Sequence, residues 1–191
     1  MTLSRISSIV FVLLCILMTG CNYPEVMDDL SDRSWKLVNQ DSAAVTFPDD
    51  FEGKILVAGY IFTNCQGVCP AITANMKNIS SRISDAEDVH FVGITFDPMR
   101  DTPAVLKAYM QKFELNEDRF TYLTGDSATV YSLLERVGIR TEMQPDTTAI
   151  GYRFNHTNQI NLIDQKGRIR TEYGGSMVPP ANVIEDINRL K

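Results

Sequence analysis

The chain has 191 residues, 44% of them hydrophobic, and a net charge of −6. That length supports one domain with a full core and is too short for two ordinary ones. With acidic residues in excess and Lys and Arg nowhere clustered, the chain lacks the basic stripe that a nucleic-acid reader needs, so no nucleic-acid partner is expected.

In chain order, Arg5 is the only charge before the apolar run 9–18, which gives way to Thr19-Gly20-Cys21 and then to Asn22, Pro24, Glu25, Asp28 and Asp29. Residues 1–20 read as a secretory signal, with an apolar stretch too short to span a bilayer stably. Thr19-Gly20-Cys21 resembles the lipobox of bacterial lipoproteins, although Met18 stands where that pattern usually has Leu. Cys21 is therefore expected to be acylated after cleavage. An uncleaved anchor and ordinary signal-peptidase cleavage are the alternatives. Residues 21–34 are polar and acidic and read as a tether, which leaves 35–191 as the folded domain. Of the four cysteines, Cys15 leaves with the signal and Cys21 is blocked by lipid, so Cys65 and Cys69 remain as thiols. A disulfide between them is chemically at home outside the cytoplasm, yet the loop it closes is too small to add much stability.

Short strands are expected at 35–38 and 44–47, paired as an N-terminal hairpin. The run KILVAGYIF over 54–62 is apolar throughout, as in a central strand covered on both faces. A helix is expected over 71–83, opened by Pro70, with Ile72, Met76, Ile79 and Ile83 on one face. VHFVGITF at 89–96 reads as a second buried strand, followed by a helix opened by Pro103 that turns Val105, Leu106, Tyr109, Met110 and Phe113 inward. A strand at 120–123, a helix at 127–137 and a long polar loop at 141–150 follow. Strands at 152–155 and 159–163, a turn at 164–167, a strand at 169–173 and a helix from Pro179 or Pro180 to Leu190 complete the chain. This order gives an α/β class with a mixed sheet flanked by helices, and a thioredoxin-like topology fits it.

Cys65 and Cys69 lie where the apolar strand runs into a helix start. Unpaired N–H groups and the helix dipole favour a thiolate there. Three residues separate the cysteines, so the familiar dithiol spacing is not met. A helical segment turns i and i+4 the same way, bringing both sulfurs within reach of one ion. The residues alone leave a reactive pair, a metal-binding pair and two ordinary buried cysteines open. A third ligand must come from the two histidines. His90 sits in a buried-strand pattern and reads as structural, whereas His156 follows a strand in the polar run Asn155-His156-Thr157-Asn158 and can be carried over the cysteine turn. Two thiolates and an imidazole suit copper or zinc, and with Cu(I) their net charge of −1 is tolerated at a helix N-terminus. Met76 reads as core, and Met99, Met143 and Met177 as thioethers without a ligand role.

Three segments in order resemble the Sco/SenC family: 60–70 with Thr63-Asn64-Cys65-Gln66-Gly67-Val68-Cys69-Pro70, Asp97-Pro98-Met99-Arg100-Asp101-Thr102, and Asn155-His156-Thr157 followed by 162–167. The resemblance implies a thioredoxin-like three-layer fold with an extra N-terminal hairpin. It also implies one copper, Cu(I) or Cu(II), per chain on Cys65, Cys69 and His156. The function implied is maturation of the copper centre of respiratory cytochrome c oxidase, with a copper-site subunit of the oxidase or another exported copper protein as partner. The domain would stand outside the cytoplasmic membrane, held by lipid on Cys21. Gln66 stands where the family usually has Pro, and Asn155 where Asp usually precedes the histidine. A thiol–disulfide oxidoreductase needs only Cys65 and Cys69, and a peroxidase of the same broad fold would add Thr63 and Arg100. Asp97 and Arg100 either support the site from behind or brace the turn after the second buried strand.

Overall fold

Every residue of the apolar run Ile55–Ile61 is buried, and in the computed structural model, which describes residues 24–145 and 152–191, this run is the central strand. In chain order the strands are β1 (Asp28–Asp29), β2 (Trp35–Asn39), β3 (Ala44–Phe47), β4 (Ile55–Ile61), β5 (Val89–Thr95), β6 (Phe120–Thr124), β7 (Thr141–Pro145), β8 (Tyr152–His156), β9 (Gln159–Ile163) and β10 (Arg168–Gly174). The helices are α1 (Val68–Arg82), α2 (Pro103–Lys112), α3 (Ser127–Arg136) and α4 (Pro180–Leu190). Eight strands form one sheet in the order β1-β10-β9-β4-β5-β6-β2-β3, and β7 and β8 form a separate pair.

Strand β4 pairs parallel with β5 and antiparallel with β9, and β5 pairs parallel with β6. The crossovers through α1 and α2 step in the same direction, so right-handed connections place both helices on one face. Their contact bears this out, since the Thr73 hydroxyl of α1 lies 3.0 Å from that of Tyr109 on α2 and 3.2 Å from that of Tyr122 on β6. Helix α4 packs beside α1. The expected N-terminal hairpin is β2–β3, paired antiparallel and joined to the sheet through β6. The result is the expected thioredoxin-like mixed α/β fold with flanking helices.

Gly59 of β4 sets how closely α1 approaches. A Cβ there would lie 2.5 Å from the Met76 sulfur and 2.9 Å from Ile72 Cγ2, so the absence of a side chain lets the helix sit down on the sheet.

Three expectations are corrected. The segment read as a tether through residue 34 joins the fold from Pro24 onward: the Pro24 carbonyl accepts from Arg170, Asp28 and Asp29 pair with β10, and Leu30 is fully buried. Polar composition hid this edge strand, because an edge needs no apolar face of its own. The long loop placed at 141–150 instead begins as strand β7, whose register sets Thr141 against His156 and Glu142 against Asn155. Val105 is exposed, unlike Leu106, Tyr109 and Met110 on the inner face of α2. The signal sequence, the lipobox and Cys21 lie outside the described residues.

Candidate metal centre

Where β4 ends, the chain turns through Thr63 and Asn64 and enters α1 at Val68, with Gly67 as N-cap. Cys65 sits in this turn and Cys69 in the first helical turn. The sulfurs therefore meet because the turn folds back over the helix start, and not because both lie on one helix face. Pro70 falls inside the first turn, where its missing N–H removes no helical bond. Cys69 is fully buried and Cys65 partly so; both are free thiols.

The third group arrives on the β7–β8 pair. Residues alternate along β8, with Arg153 and Asn155 exposed and Tyr152, Phe154 and His156 turned toward the body. The His156 ring lies 4.5 Å from that of Phe96, and Phe154 lies 5.3 Å from both Phe62 and Phe96. His156 Nδ1 is 2.9 Å from the Thr157 carbonyl oxygen. A carbonyl only accepts, so Nδ1 carries a hydrogen, and it is Nε2 that can offer a lone pair to an ion. That nitrogen lies 3.8 Å from Cys69 Sγ.

The donor atoms of Cys65, Cys69 and His156 all lie within 4.8 Å of one another, the one such group of three or more Cys, His, Asp or Glu among the described residues. Thiolate and imidazole donors around a small ion at 2.0 to 2.3 Å sit about 4 Å apart in a trigonal arrangement, so these residues fit an ion with a small contraction. His90 is not among them. It lies on β5 with Nε2 2.9 Å from the Thr121 hydroxyl, and burial pushes its pKa down to about 4, as expected of a structural neutral histidine. Met76 is fully buried in the core, as expected.

The thiols share one charge. The Cys65 pKa is pulled down to about 4, first by the hydrogen bond from the Cys69 thiol and then, against the effect of burial, by the N–H groups of Cys69 and Gly67. Cys69 moves up, because it holds the hydrogen that Cys65 accepts and because it is buried. The Gly67 N–H lies 3.3 Å from Cys65 Sγ, in keeping with a thiolate at a helix start.

Asp101 anchors the turn. Its carboxylate accepts from the Thr63 N–H at 3.0 Å, the Thr63 hydroxyl at 2.5 Å and the Thr95 hydroxyl at 2.5 Å. It is fully buried, and burial raises its pKa against the pull of these donors. In sequence Asp101 looks like a helix-start residue, and only the fold reveals its bond to Thr63. Thr157, whose carbonyl fixes the imidazole, carried no signal beyond its place next to His156. Among the pockets of the described residues, one of about 530 Å³ opens onto Cys65 and His156, lined also by Asn64, Gln66, Arg153 and Asn155. The two departures from the family pattern, Gln66 and Asn155, are thus both at its mouth and exposed.

This is a thioredoxin-like protein in which a strand-to-helix turn brings two thiols up to an imidazole carried on a separate hairpin. The sequence profile described as SCO1/SenC matches residues 26–191, and the chain belongs to that family. A SCO1/SenC family lipoprotein from Bacillus anthracis has a similar structure, with TM-score 0.76, 32% identity, and coverage of 88% of this chain and 98% of that one. Copper-bound ScoI of Bradyrhizobium japonicum matches with TM-score 0.69 and 26% identity over 83% of this chain and 98% of its own. The SCO1 protein homolog of Bacillus subtilis is 25% identical over 188 residues, 95% of this chain and 92% of that protein.

Proposed function

We propose that this protein binds one copper ion through Cys65, Cys69 and His156 and passes it to the copper-site subunit of a respiratory oxidase or to another exported copper protein. The observation that carries this reading is the convergence of two sulfurs and an imidazole whose Nε2 is left open by the Nδ1 bond to Thr157. Soft sulfur with nitrogen suits copper or zinc. The copper-bound relative from Bradyrhizobium japonicum supports the choice of metal. With both thiols ionised, Cu(I) leaves a single negative charge at the start of α1, where the helix dipole stabilises it. The domain works outside the cytoplasmic membrane, tethered by lipid on Cys21; the relation to a Bacillus anthracis lipoprotein supports this. No helix of the described residues is long and apolar enough to cross a membrane.

The test is copper binding to the reduced protein from residue 22, compared with its His156→Ala variant. The native protein is expected to bind one equivalent, to lose affinity with the imidazole, and to show intense thiolate-to-Cu(II) absorption. Equal stoichiometry and affinity in the two proteins, with brisk reduction of a model disulfide, would refute the copper reading. That outcome would favour the second reading, a thiol–disulfide oxidoreductase. It has its own support in the accessible Cys65 thiolate backed by the buried Cys69 thiol, an attacking and a resolving sulfur in the right order.

A further inference from the structure

The hairpin that carries His156 is hydrogen-bonded into no strand of the main sheet among the described residues. At its base, the Thr157 N–H donates to the Arg140 carbonyl and the Arg140 N–H to the Thr157 hydroxyl, each at 3.0 Å. These bonds close the hairpin on itself and do not dock it. Docking falls to the inward face of β8: Phe154 supplies apolar contact, which is not directional, and Tyr152 supplies the directional link. The Tyr152 hydroxyl lies 2.7 Å and 2.9 Å from the two carboxylate oxygens of Asp97, and the Arg100 guanidinium covers the Tyr152 ring at 3.6 Å.

Asp97 is itself fixed. It is 1% exposed, its N–H donates to the Thr95 hydroxyl at 3.0 Å, and its carbonyl accepts from the N–H groups of Arg100 and Asp101. The Thr95 hydroxyl in turn donates to Asp101, which holds Thr63. Both arms of the candidate centre, the cysteine turn and the histidine hairpin, are thus fastened to the one segment that joins β5 to α2. We propose that Tyr152, held by Asp97 and covered by Arg100, is a positioning residue that sets the His156 ring against the two sulfurs. This deepens the copper reading and rests on it for its purpose, but the positioning can be measured without metal.

The test uses the full chain in detergent with Tyr152→Phe, which keeps the ring, its contact with Phe154 and the stack with Arg100 and deletes only the hydroxyl. In the reduced, metal-free protein, diethyl pyrocarbonate modifies accessible imidazoles, and His90, half-buried on β5 beside Phe51, is the internal reference. Tyr152→Phe is expected to speed modification of His156 about 10-fold and to leave His90 unchanged. Asp97→Asn keeps an oxygen for the Tyr152 hydroxyl and is expected to restore most of the native rate, while Asp97→Ala behaves as Tyr152→Phe does. With Cu(II), Tyr152→Phe should weaken affinity about 10-fold, in the range seen when groups that orient a ligand are removed. The same change in a His156→Ala background should add no loss. An unchanged His156 rate in folded Tyr152→Phe overturns the proposal, as does a joint rise at His90 and His156, which would mark general loosening. If Tyr152→Phe does not fold, the comparison of Asp97→Asn with Asp97→Ala decides by the same rates. If native protein and His156→Ala bind copper alike, the copper reading falls, and the metal-free rates still judge the role of Tyr152.

Discussion

Replacing Asp101 by Ala tests whether the cysteine turn is held from below. Three donors converge on this buried carboxylate, two from Thr63 and one from Thr95. Hydrogen bonds to a charged group contribute about 1.5 to 3 kcal/mol each to stability, but the burial that raises the Asp101 pKa offsets part of that sum. The two hydroxyls can rotate toward other acceptors. The Thr63 N–H cannot, and it is left unpaired in a part-buried site. We expect a loss of about 3 to 4 kcal/mol, the lower end of the three-bond sum less the cost of burying the carboxylate. At roughly 2 to 4 °C per kcal/mol for a domain of this size, Tm should fall by about 6 to 16 °C. Thermal unfolding followed by circular dichroism measures it, with Asp101→Asn expected at about half the loss because one carbonyl oxygen remains. Thr63 lies two residues before Cys65, so copper affinity of the folded variant, read by chelator competition, should fall with stability. A Tm within about 3 °C of native for Asp101→Ala would refute the argument, since it would mean that the three donors find other partners without cost.

Two further outcomes are expected. His90 is held neutral, with a pKa near 4 against an ordinary 6.5, so the unfolded chain takes up its proton first as pH falls. Its stability contribution is complete above pH 6.5, declines through the window down to about 4, and amounts to about 3 kcal/mol at most; His90→Gln should flatten that limb in urea titrations run at several pH values. Cys65, with its pKa near 4, should be alkylated by iodoacetamide at nearly constant rate between about pH 6 and 8. Cys69 should lag far behind, and Cys69→Ala, by deleting the donated hydrogen bond, should restore an ordinary rise of the Cys65 rate with pH; peptide mapping after quenching separates the two sites.

Much of the centre was legible in the sequence because its parts obey local rules. An uninterrupted apolar run marks β4, and Pro70 marks a helix start, so the cysteines had to lie at the junction. The polar Asn155-His156-Thr157-Asn158 run, by contrast with His90, marked an imidazole free to act. What escaped reading depends on distant partners. Strand β7 has only Met143 as an apolar residue and ends in Pro145, a composition typical of a loop, and it is a strand only because β8 lies opposite. Asp28 and Asp29 are likewise strand only through β10. Asp101 sits in an Asp-Thr-Pro helix start, where an acid is unremarkable, and its bond to Thr63 spans 38 residues of sequence. Local patterns cannot report such closures.

The missing side chain at Gly59 works as a height gauge for the cysteine platform. Ile72 and Met76 are fully buried, so a methyl group at this point of β4 must displace them, and α1 carries both. Cys69 rides on that helix, whereas His156 hangs from a hairpin fastened elsewhere and would not follow. The height at which the cysteine-bearing helix rides over β4 is thus set in part by a glycine.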